Sequence, residues 1–346
     1  MHSIIGQDRI TALLSNTAGK RIAVIGDVML DQYYWGNVSR ISPEAPVPVV
    51  EVTSESVRLG GAANVANNIA SLGAEPFLIG VIGNDANGEK FSSLMNEAGF
   101  PSGGLIRDPS RQTTIKTRII AQSQHVVRFD RESTSDLDDS VARHLIQVVR
   151  DHIGEFDGII LQDYNKGVFR KDVISNVTRL AHDEGTLITV DPKFNNFFEY
   201  RDVTVFKPNR RELEQAFGAK FRTSESFDRY GLELQKKINA QSILITRGEQ
   251  GMTLIEKDGT VYHVPTRTRS VTDVSGAGDT VIATLTVMLA AGSDTGEASA
   301  IANFAGGIVC EEIGIVPIDR DRLIDTVTRF ERDNPDVASK ESIHHG

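Results

Sequence analysis

The residues best suited to chemistry form one short segment, Gly276-Ala277-Gly278-Asp279, which leads into an apolar stretch at 281–291. Small side chains let successive backbone N–H groups converge on one point. A helix predicted to start there adds the positive end of its dipole. Gly276, Ala277 and Gly278 therefore predict a cradle for an anion.

Asp279 stands beside this cradle, and two interpretations of its carboxylate compete. It could cap the helix, which is a common structural role. Ser275 or Thr280 would cap the helix equally well, however, and a cap leaves the glycines unexplained. We favour the second interpretation, in which Asp279 takes the proton of an acceptor hydroxyl while a phosphoryl group arrives at the cradle.

The position of Asp279 also predicts its acidity. A helix N-terminus stabilises the ionised carboxylate, so we expect a lowered pKa and a weak base. Phosphoryl transfer tolerates a weak base, because its transition state is loose and the proton can leave late. The orientation of the acceptor hydroxyl then matters more than the basicity of the carboxylate.

Two common nucleotide-binding motifs are missing from the sequence. No GxxxxGK[ST] loop occurs, and Val281 stands where a GxGxxG motif starting at Gly276 needs its third glycine. Protein classes built on those motifs are therefore disfavoured.

A second set of candidate residues lies near the N-terminus. Gly60 and Gly61 open a predicted helix that carries Asn64; tight packing would explain the glycines, whereas polar Asn64 favours a substrate contact. Asp27 and Asp31 follow the first predicted strand, at the sheet edge where open α/β folds bind ligands. These two carboxylates either grip a pair of sugar hydroxyls or are solvated loop acids, and both interpretations stay open here.

Composition restricts the class of partner. The 346 residues are 40% apolar and 24% charged, and 37 Lys+Arg against 47 Asp+Glu give a net charge of −10. This charge disfavours nonspecific binding to nucleic acid or an anionic membrane. Cys310 is the only cysteine, so an intrachain disulfide is excluded. No secretory signal or membrane-length apolar stretch is recognisable, so we expect a cytoplasmic protein.

The elements that must position these residues follow an alternating strand and helix pattern. This pattern predicts an α/β fold with a doubly wound, mostly parallel sheet and helices on both faces. The predicted strands are 21–27, 77–82, 158–163, 186–191 and 242–246. The predicted helices are 61–72, 88–98, 137–152, 171–182, 225–238, 279–291, 295–312 and 320–330.

Two alternating stretches do not fit the main sheet. The proline-containing stretch 47–52 suits an edge strand, and 113–120 with 126–129 suits an antiparallel pair. We expect one domain, 1–330, with a small β lid from about 33–58 and 105–130, and a disordered polar tail at 331–346. The edges of the lid favour pairing with a second copy, which predicts a homodimer.

Two motifs carry a resemblance to a known family. The segments Gly60-Gly-Ala-Ala-Asn64 and Asp273-Val-Ser-Gly-Ala-Gly-Asp279 resemble the two signatures of the ribokinase-like, or PfkB, carbohydrate kinases. Residues 21–330 fit the order of elements in that family. The resemblance therefore implies a ribokinase-like fold and a sugar as phosphoryl acceptor.

Four further segments, at 26–36, 40–49, 162–167 and 190–193, resemble the heptose 7-phosphate kinases of lipopolysaccharide precursor synthesis. Those enzymes use ATP and Mg²⁺ to phosphorylate the anomeric hydroxyl of D-glycero-β-D-manno-heptose 7-phosphate, yielding the 1,7-bisphosphate. In some organisms the kinase is fused to a C-terminal nucleotidyltransferase. No HxGH-type motif follows Phe330, so we expect the kinase half alone.

The resemblance also implies a role for each matching residue. It makes Asp279 the base and Gly276, Ala277 and Gly278 the anion hole. The residues implied on the sugar are Asp27, Asp31, Gly60, Gly61 and Asn64. Those implied on the nucleotide are Asn209, Glu212, Thr246, Gly248 and Asn303.

The resemblance also implies two ion sites, one for magnesium and one for a monovalent cation. Asn209 and Glu212 match an Asn-x-x-Glu motif tied to magnesium and the nucleotide phosphates, so Glu212 is an indirect magnesium contact. The same pair could also be a capping box, with Asn209 as helix cap. Asp273 and Ser275 match a monovalent-cation site of some relatives, and the sequence leaves the use of K⁺ open.

The phosphate of the sugar needs cations, which an acidic chain must supply locally. Lys166 and Lys193 follow predicted strands and are our first candidates, with Arg118 and Arg128 in the lid. Two other functions compete with the heptose kinase. One is another sugar, sugar-phosphate or nucleoside kinase on this scaffold; the other is a non-catalytic sugar-binding regulator, which the presence of Asp279 and the whole cradle disfavours.

Overall fold

The computed structural model describes residues 6–122, 124–221, 223–266 and 271–334. Within these ranges the chain forms two β-sheets. The strands in chain order are β1 (Arg21–Gly26), β2 (Val28–Ile41), β3 (Pro48–Gly61), β4 (Glu75–Gly83), β5 (Leu105–Asp108), β6 (Ile115–Ala121), β7 (Gln124–Arg131), β8 (Gly158–Gln162), β9 (Leu187–Asp191), β10 (Val205–Phe206), β11 (Ser242–Thr246), β12 (Met252–Ile255) and β13 (Val261–Val264).

The same ranges contain the helices that cover the sheet. In chain order they are α1 (Gln7–Ser15), α2 (Ala62–Ser71), α3 (Ala86–Glu97), α4 (Asp139–His152), α5 (Lys171–Glu184), α6 (Arg210–Phe217), α7 (Ser224–Ile238), α8 (Ala277–Ala290), α9 (Thr295–Val309) and α10 (Arg320–Asp333). None of these described helices is long and apolar enough to cross a membrane.

The large sheet has the strand order β13-β12-β11-β10-β9-β8-β1-β4-β5. From β11 to β5 neighbouring strands pair in parallel, whereas β12 and β13 add an antiparallel edge. The predicted doubly wound, mostly parallel sheet is confirmed.

Alternating side chains of β1 show why the strands are continuously apolar. Ile22 and Val24 pack into the core on one face, and Ala23 and Ile25 pack into the core on the other. All four are 0% exposed. A strand covered by helices on both faces needs apolar residues at every position, and this is the pattern that the sequence shows.

The strand order brings distant polar residues to one edge. In the register of β1, β8 and β9, Gly26 lies opposite Gln162, and Gln162 lies opposite Asp191. Parallel strands end at the same edge, so the residues after each strand meet there. This edge, together with the start of α8, positions the candidate site.

The second sheet, with the order β3-β2-β6-β7, is the lid. The predicted edge strand at 47–52 is confirmed as part of β3, and β6 and β7 form the predicted antiparallel pair. The lid range given for 105–130 begins too early, because β5 pairs in parallel with β4 in the large sheet. No strand was predicted at β2, although part of it lies within the predicted lid range 33–58; its second half is largely exposed and extends beyond the core.

The eight predicted helices are all present, with ends shifted by a few residues. Sequence analysis did not predict α1 or the full length of α6. Helix α10 runs to Asp333, so the expected disordered tail begins too early at 331; residues 335–346 lie outside the described residues.

Candidate active site

Asp279 lies in the first turn of α8, and three side chains donate hydrogen bonds to its carboxylate. Asn64 Nδ2 donates to Oδ2 at 2.8 Å. Tyr164 Oη and Gln162 Nε2 both donate to Oδ1, at 2.6 and 3.1 Å. The helix cap is instead Gly276, which makes no side-chain cap bond. The capping interpretation of Asp279 is therefore wrong.

Burial decides the acidity of this carboxyl group, which is 4% exposed. Loss of water raises the pKa of Asp279 to about 6, although the bonds from Asn64 and Tyr164 lower it. Asp191 raises this pKa further, and Lys207 lowers it. The expected lowering by the helix end is wrong, because desolvation outweighs it. The result is a stronger base than an ordinary aspartate.

The glycine-rich turn shapes the start of α8. Gly276 has a φ of 81°, in the left-handed region that favours glycine. The N–H of Ala277 donates to the Val274 carbonyl at 3.3 Å, so Ala277 is not a free donor of the cradle. Helix geometry leaves the N–H groups of Gly278 and Asp279 without a carbonyl one turn earlier. Among the described residues the Gly276 N–H has no hydrogen-bond acceptor either, so the N–H groups of Gly276, Gly278 and Asp279 remain for an anion.

A buried ion pair faces this turn. Lys207 Nζ lies 3.0 Å from Asp191 Oδ2, and the two residues are 2% and 5% exposed. A Cβ placed on Gly278 would lie 3.8 Å from each of these atoms. The absence of a side chain on Gly278 therefore leaves open the space between this residue and the ion pair. Gln162 donates to both Asp191 and Asp279. No role was predicted for Asp191, Lys207 or Gln162, although the location of Gln162 and Asp191 at the ends of neighbouring strands was a usable signal.

The structure separates the two carboxylates that the sequence paired. Asp27 accepts backbone N–H bonds from Tyr164 at 2.7 Å, Lys166 at 3.1 Å and Val168 at 3.4 Å. Burial, with a smaller effect of Asp163, raises the pKa of Asp27 to about 7. Asp27 therefore anchors the loop after β8, and the prediction that it grips a sugar hydroxyl is corrected.

Asp31 is also buried, and it forms an ion pair with Arg118 of the lid strand β6. A Cβ on Gly60 would lie 1.9 Å from Asp31 Oδ2, and one on Gly61 would lie 2.4 Å from the Asp27 carbonyl. Close packing thus explains both glycines, as the alternative interpretation held. Asn64, in the first turn of α2, reaches Asp279.

A cavity of about 1190 Å³ opens from Asp279 toward α6. Polar and charged side chains and the cradle backbone form its walls, as an ionic ligand requires. Three residues predicted to bind the nucleotide line this cavity: Asn209, Thr246 and Gly248. Its wall also contains Lys193, Lys207, Asp191, Gly276, Gly278 and Asp279.

Asn209 and Glu212 form the capping box that sequence analysis gave as an alternative. The Glu212 N–H donates to Asn209 Oδ1 at 3.0 Å, and the Asn209 N–H donates to Glu212 Oε2 at 2.8 Å. Lys193 Nζ pairs with the other oxygen of Glu212. Burial lowers the pKa of Lys193, but Asp191 and Glu212 raise it above its ordinary value. Lys193 therefore stays charged at this end of the cavity.

A second cavity of about 530 Å³ adjoins the first and shares Thr246, Gly248 and Gly278 with it. Its other walls are more apolar, which suits a planar base. Asn303 lines this cavity, and its Nδ2 donates to the Pro265 carbonyl at 2.8 Å.

Lys166 lies with the lid and not with Lys193. Its Nζ is 2.7 Å from Glu132 Oε1, and Lys116 Nζ lies 3.7 Å from the other oxygen of Glu132. Arg128 is exposed and pairs with Asp130. The two predicted phosphate-binding lysines thus have different partners, Glu132 for Lys166 and Glu212 for Lys193, and Lys193 lines the large cavity.

The cavity chemistry fits magnesium held with nucleotide phosphates, because Mg²⁺ prefers oxygen ligands and keeps several waters. Both Glu212 oxygens already accept hydrogen bonds, so Glu212 would hold the ion through water. The potassium prediction fits less well. Asp273 accepts backbone N–H bonds from Ser275 and Gly314 at 2.9 and 3.0 Å and so fixes its own loop.

The chain has a doubly wound sheet, a β lid and a buried carboxylate beside a large cavity. These features are those of a carbohydrate kinase. Residues 20–319 match the family model described as pfkB family carbohydrate kinase. The chain belongs to this family.

Curated relatives extend the comparison. The chain is 40% identical over 305 residues to the bifunctional protein HldE of Geobacter sulfurreducens, and 43% identical over 295 residues to HldE of Helicobacter pylori. These matches cover 88% and 85% of this chain. They cover 62% and 64% of the relatives, so the chain spans less than two thirds of their length.

Solved structures show the same fold at low sequence identity. Phosphofructokinase-2 from Escherichia coli, in complex with potassium, aligns with a TM-score of 0.75 at 18% identity, covering 90% of this chain and 99% of that one. Ribokinase from Arabidopsis thaliana, complexed with ribose and ATP, aligns with a TM-score of 0.70 at 18% identity and the same coverages. The predicted ribokinase-like fold is confirmed.

Proposed function

We propose that this protein transfers the γ-phosphoryl group of ATP to the anomeric C1 hydroxyl of D-glycero-β-D-manno-heptose 7-phosphate. The product is the 1,7-bisphosphate, a precursor of ADP-heptose in lipopolysaccharide synthesis, and the reaction would take place in the cytoplasm. The choice of the heptose as substrate is supported by the segments at 162–167 and 190–193, which resemble those of heptose 7-phosphate kinases. Similarity to proteins named HldE supports the same choice.

The observation that carries the proposal is the environment of Asp279. Its carboxylate is buried, has a pKa raised to about 6, and lies where the nucleotide cavity meets Asn64 of the sugar side. A base with this pKa is ionised at neutral pH and still accepts a proton readily.

The reaction then follows from the residues in place. The C1 hydroxyl gives its proton to Asp279 as its oxygen bonds to the γ-phosphorus, and the bond from that phosphorus to the bridging oxygen breaks to release ADP. The N–H groups of Gly278 and Asp279 bind the equatorial oxygens. Lys193 and Lys207 add positive charge to the cavity. Magnesium, held through Glu212 and water, would neutralise the β- and γ-phosphates.

The 7-phosphate would be bound beneath the lid. Lys116, Lys166 and Arg118 lie there within a network of carboxylates that includes Glu132 and Asp31. A phosphate could replace part of that carboxylate network, because lysine and arginine bind both groups through charge-assisted hydrogen bonds. The closed lid would exclude water and limit wasteful hydrolysis of ATP.

The lid also supports the homodimer. Its exposed large apolar side chains are Ile41, Val47, Val52, Val127 and Phe129, with exposed fractions from 47% to 61%. Its outer strands β3 and β7 have an unpaired edge within this sheet. A second copy of the lid would cover both features.

A substrate panel tests the function. ADP release is measured with ribose, fructose, fructose 6-phosphate, mannose 6-phosphate and the heptose 7-phosphate, and ³¹P NMR locates the new phosphate. We expect the highest kcat/KM with the heptose 7-phosphate and a new signal at C1. Higher kcat/KM with a hexose phosphate or ribose would show another pfkB kinase, and phosphorylation at a different oxygen would overturn the proposed site of transfer.

A further inference from the structure

The loop that follows β8 connects Asp27 to Asp279 through one residue, Tyr164. The Tyr164 N–H donates to Asp27 Oδ2 at 2.7 Å, and the Tyr164 hydroxyl donates to Asp279 Oδ1 at 2.6 Å. Asn165 and Gly167 have φ values of 55° and 84°, so the chain turns tightly. Asp27 thus holds the backbone from which Tyr164 reaches the base.

The hydrogen bonds on Asp279 are unequally divided between its oxygens. Oδ1 accepts from Tyr164 and Gln162, whereas Oδ2 accepts from Asn64. An ionised carboxylate has about four acceptor positions, two on each oxygen. With these contacts Oδ1 is saturated, and Oδ2 retains one position on the side where Asn64 lies.

We propose that Tyr164 is a positioning residue for phosphoryl transfer, which saturates Oδ1 of Asp279 so that Oδ2 faces the acceptor hydroxyl. The inference rests on the proposed role of Asp279 as base. Asp27 acts one step further away, because it fixes the loop that carries Tyr164. The carboxylate that sequence analysis assigned to the sugar thus serves the base.

Tyr164 keeps its own proton in this role. Burial, and then the negative charges of Asp279 and Asp191, raise the pKa of Tyr164 well above its ordinary value. The hydroxyl therefore remains a donor across the working pH range and stabilises the ionised form of Asp279. The other charged groups facing Asp279 are Asp191, Lys207 and Lys193, and they are unchanged when only the hydroxyl is removed.

Tyr164→Phe tests the inference, with Tyr200→Phe as the matched control. Tyr200 is 0% exposed, and its hydroxyl donates to Asp163 Oδ2 at 2.7 Å. Each variant therefore removes a tyrosine hydroxyl that donates to a buried aspartate. We expect Tyr164→Phe to lower kcat about tenfold or more, the range of a hydrogen bond to a charged group. The acid limb of its profile of kcat/KM against pH should move to higher pH, because the ionised form of Asp279 loses a hydrogen-bond donor. Tyr200→Phe should keep the parent limb.

Three outcomes separate the possibilities. Parental kcat and an unmoved acid limb in Tyr164→Phe, together with an inactive Asp279→Asn, would overturn the role of Tyr164 alone. An active Asp279→Asn would overturn the proposed base and the role of Tyr164 with it. If Tyr164→Phe unfolds, Gln162→Met removes the other donor on Oδ1 and should move the acid limb in the same direction; an unmoved limb there overturns the inference.

Discussion

Asn64 and Asp279 stand 215 positions apart in the chain, yet the Asn64 amide donates to the Asp279 carboxylate at 2.8 Å. A second bond, from Thr280 Oγ1 to Asn68 Oδ1 at 2.9 Å, joins the same two helices one turn away. Helices α2 and α8 are thereby held in one register. These two hydrogen bonds fix the position of the Asn64 amide relative to the Asp279 carboxylate.

Replacing Asp279 by asparagine should abolish most phosphoryl transfer. The amide cannot accept the acceptor proton, and we expect kcat to fall by about 10² to 10⁴. Steady-state ADP release measures the loss. Nucleotide binding by calorimetry should stay close to the parent, because the change keeps the size of the side chain. Activity within a few-fold of the parent would exclude Asp279 as the base.

The pH dependence of kcat/KM, which reports pKa values of the free enzyme, should reflect the burial of Asp279. The group must be ionised to act as base, and its pKa is raised to about 6. Activity should therefore be lost as the pH falls through about 6, about two units above the range of an ordinary aspartate. A profile of kcat/KM against pH in a constant-ionic-strength buffer gives the acid limb. A limb near pH 4 would contradict this prediction.

Gly276→Ala should damage both stability and catalysis. A side chain in the left-handed region costs about 1–2 kcal/mol, and the new Cβ would lie 3.1 Å from Asn64 Nδ2. Gly185→Ala is the control, since Gly185 ends α5 with a φ of 69° and open space around it. Urea unfolding should show a similar loss in both variants. Only Gly276→Ala should lower kcat/KM. An equal decrease of kcat/KM in Gly185→Ala would argue against a local effect of Gly276 on the site.

Lys193 and Lys166 should respond to different substrates. Lys193→Met leaves Glu212 without its cation in the nucleotide cavity, so we expect a higher KM for ATP. Lys166→Met removes a cation beneath the lid, so we expect a higher KM for the sugar phosphate alone. Each variant is the control for the other when both Michaelis constants are measured. The same change in both constants for both variants would refute the division of roles.

Phe129→Lys should weaken association of the lids. Phe129 is 54% exposed on β7, so a charged side chain costs the monomer little and disfavours an apolar interface. Analytical ultracentrifugation over a concentration series should give a dimer for the parent and a shift to monomer for the variant. His144→Lys on α4, away from the lid, is the control. A parent that stays monomeric at high concentration would overturn the homodimer.

Local patterns in the sequence were enough for much of the fold. Apolar runs at 21–27 and 158–163 indicated strands buried on both faces, because such a strand needs apolar side chains at consecutive positions. The spacing of apolar residues located the predicted helices within a few positions. The strand β2 escaped prediction, since its second half packs against other lid strands and carries no core signal.

By itself the sequence determined that a glycine-rich turn precedes an apolar helix and that Asp279 stands in its first turn. Only the tertiary structure decided which groups surround that carboxylate. Tyr164, Gln162 and Asn64 reach it from other elements because of the order of the parallel strands, which no local pattern encodes. Burial by those elements raises the pKa of Asp279, whereas the helix end alone predicted the opposite. Local residue types set what each group can do, and long-range packing sets its neighbours and its access to water.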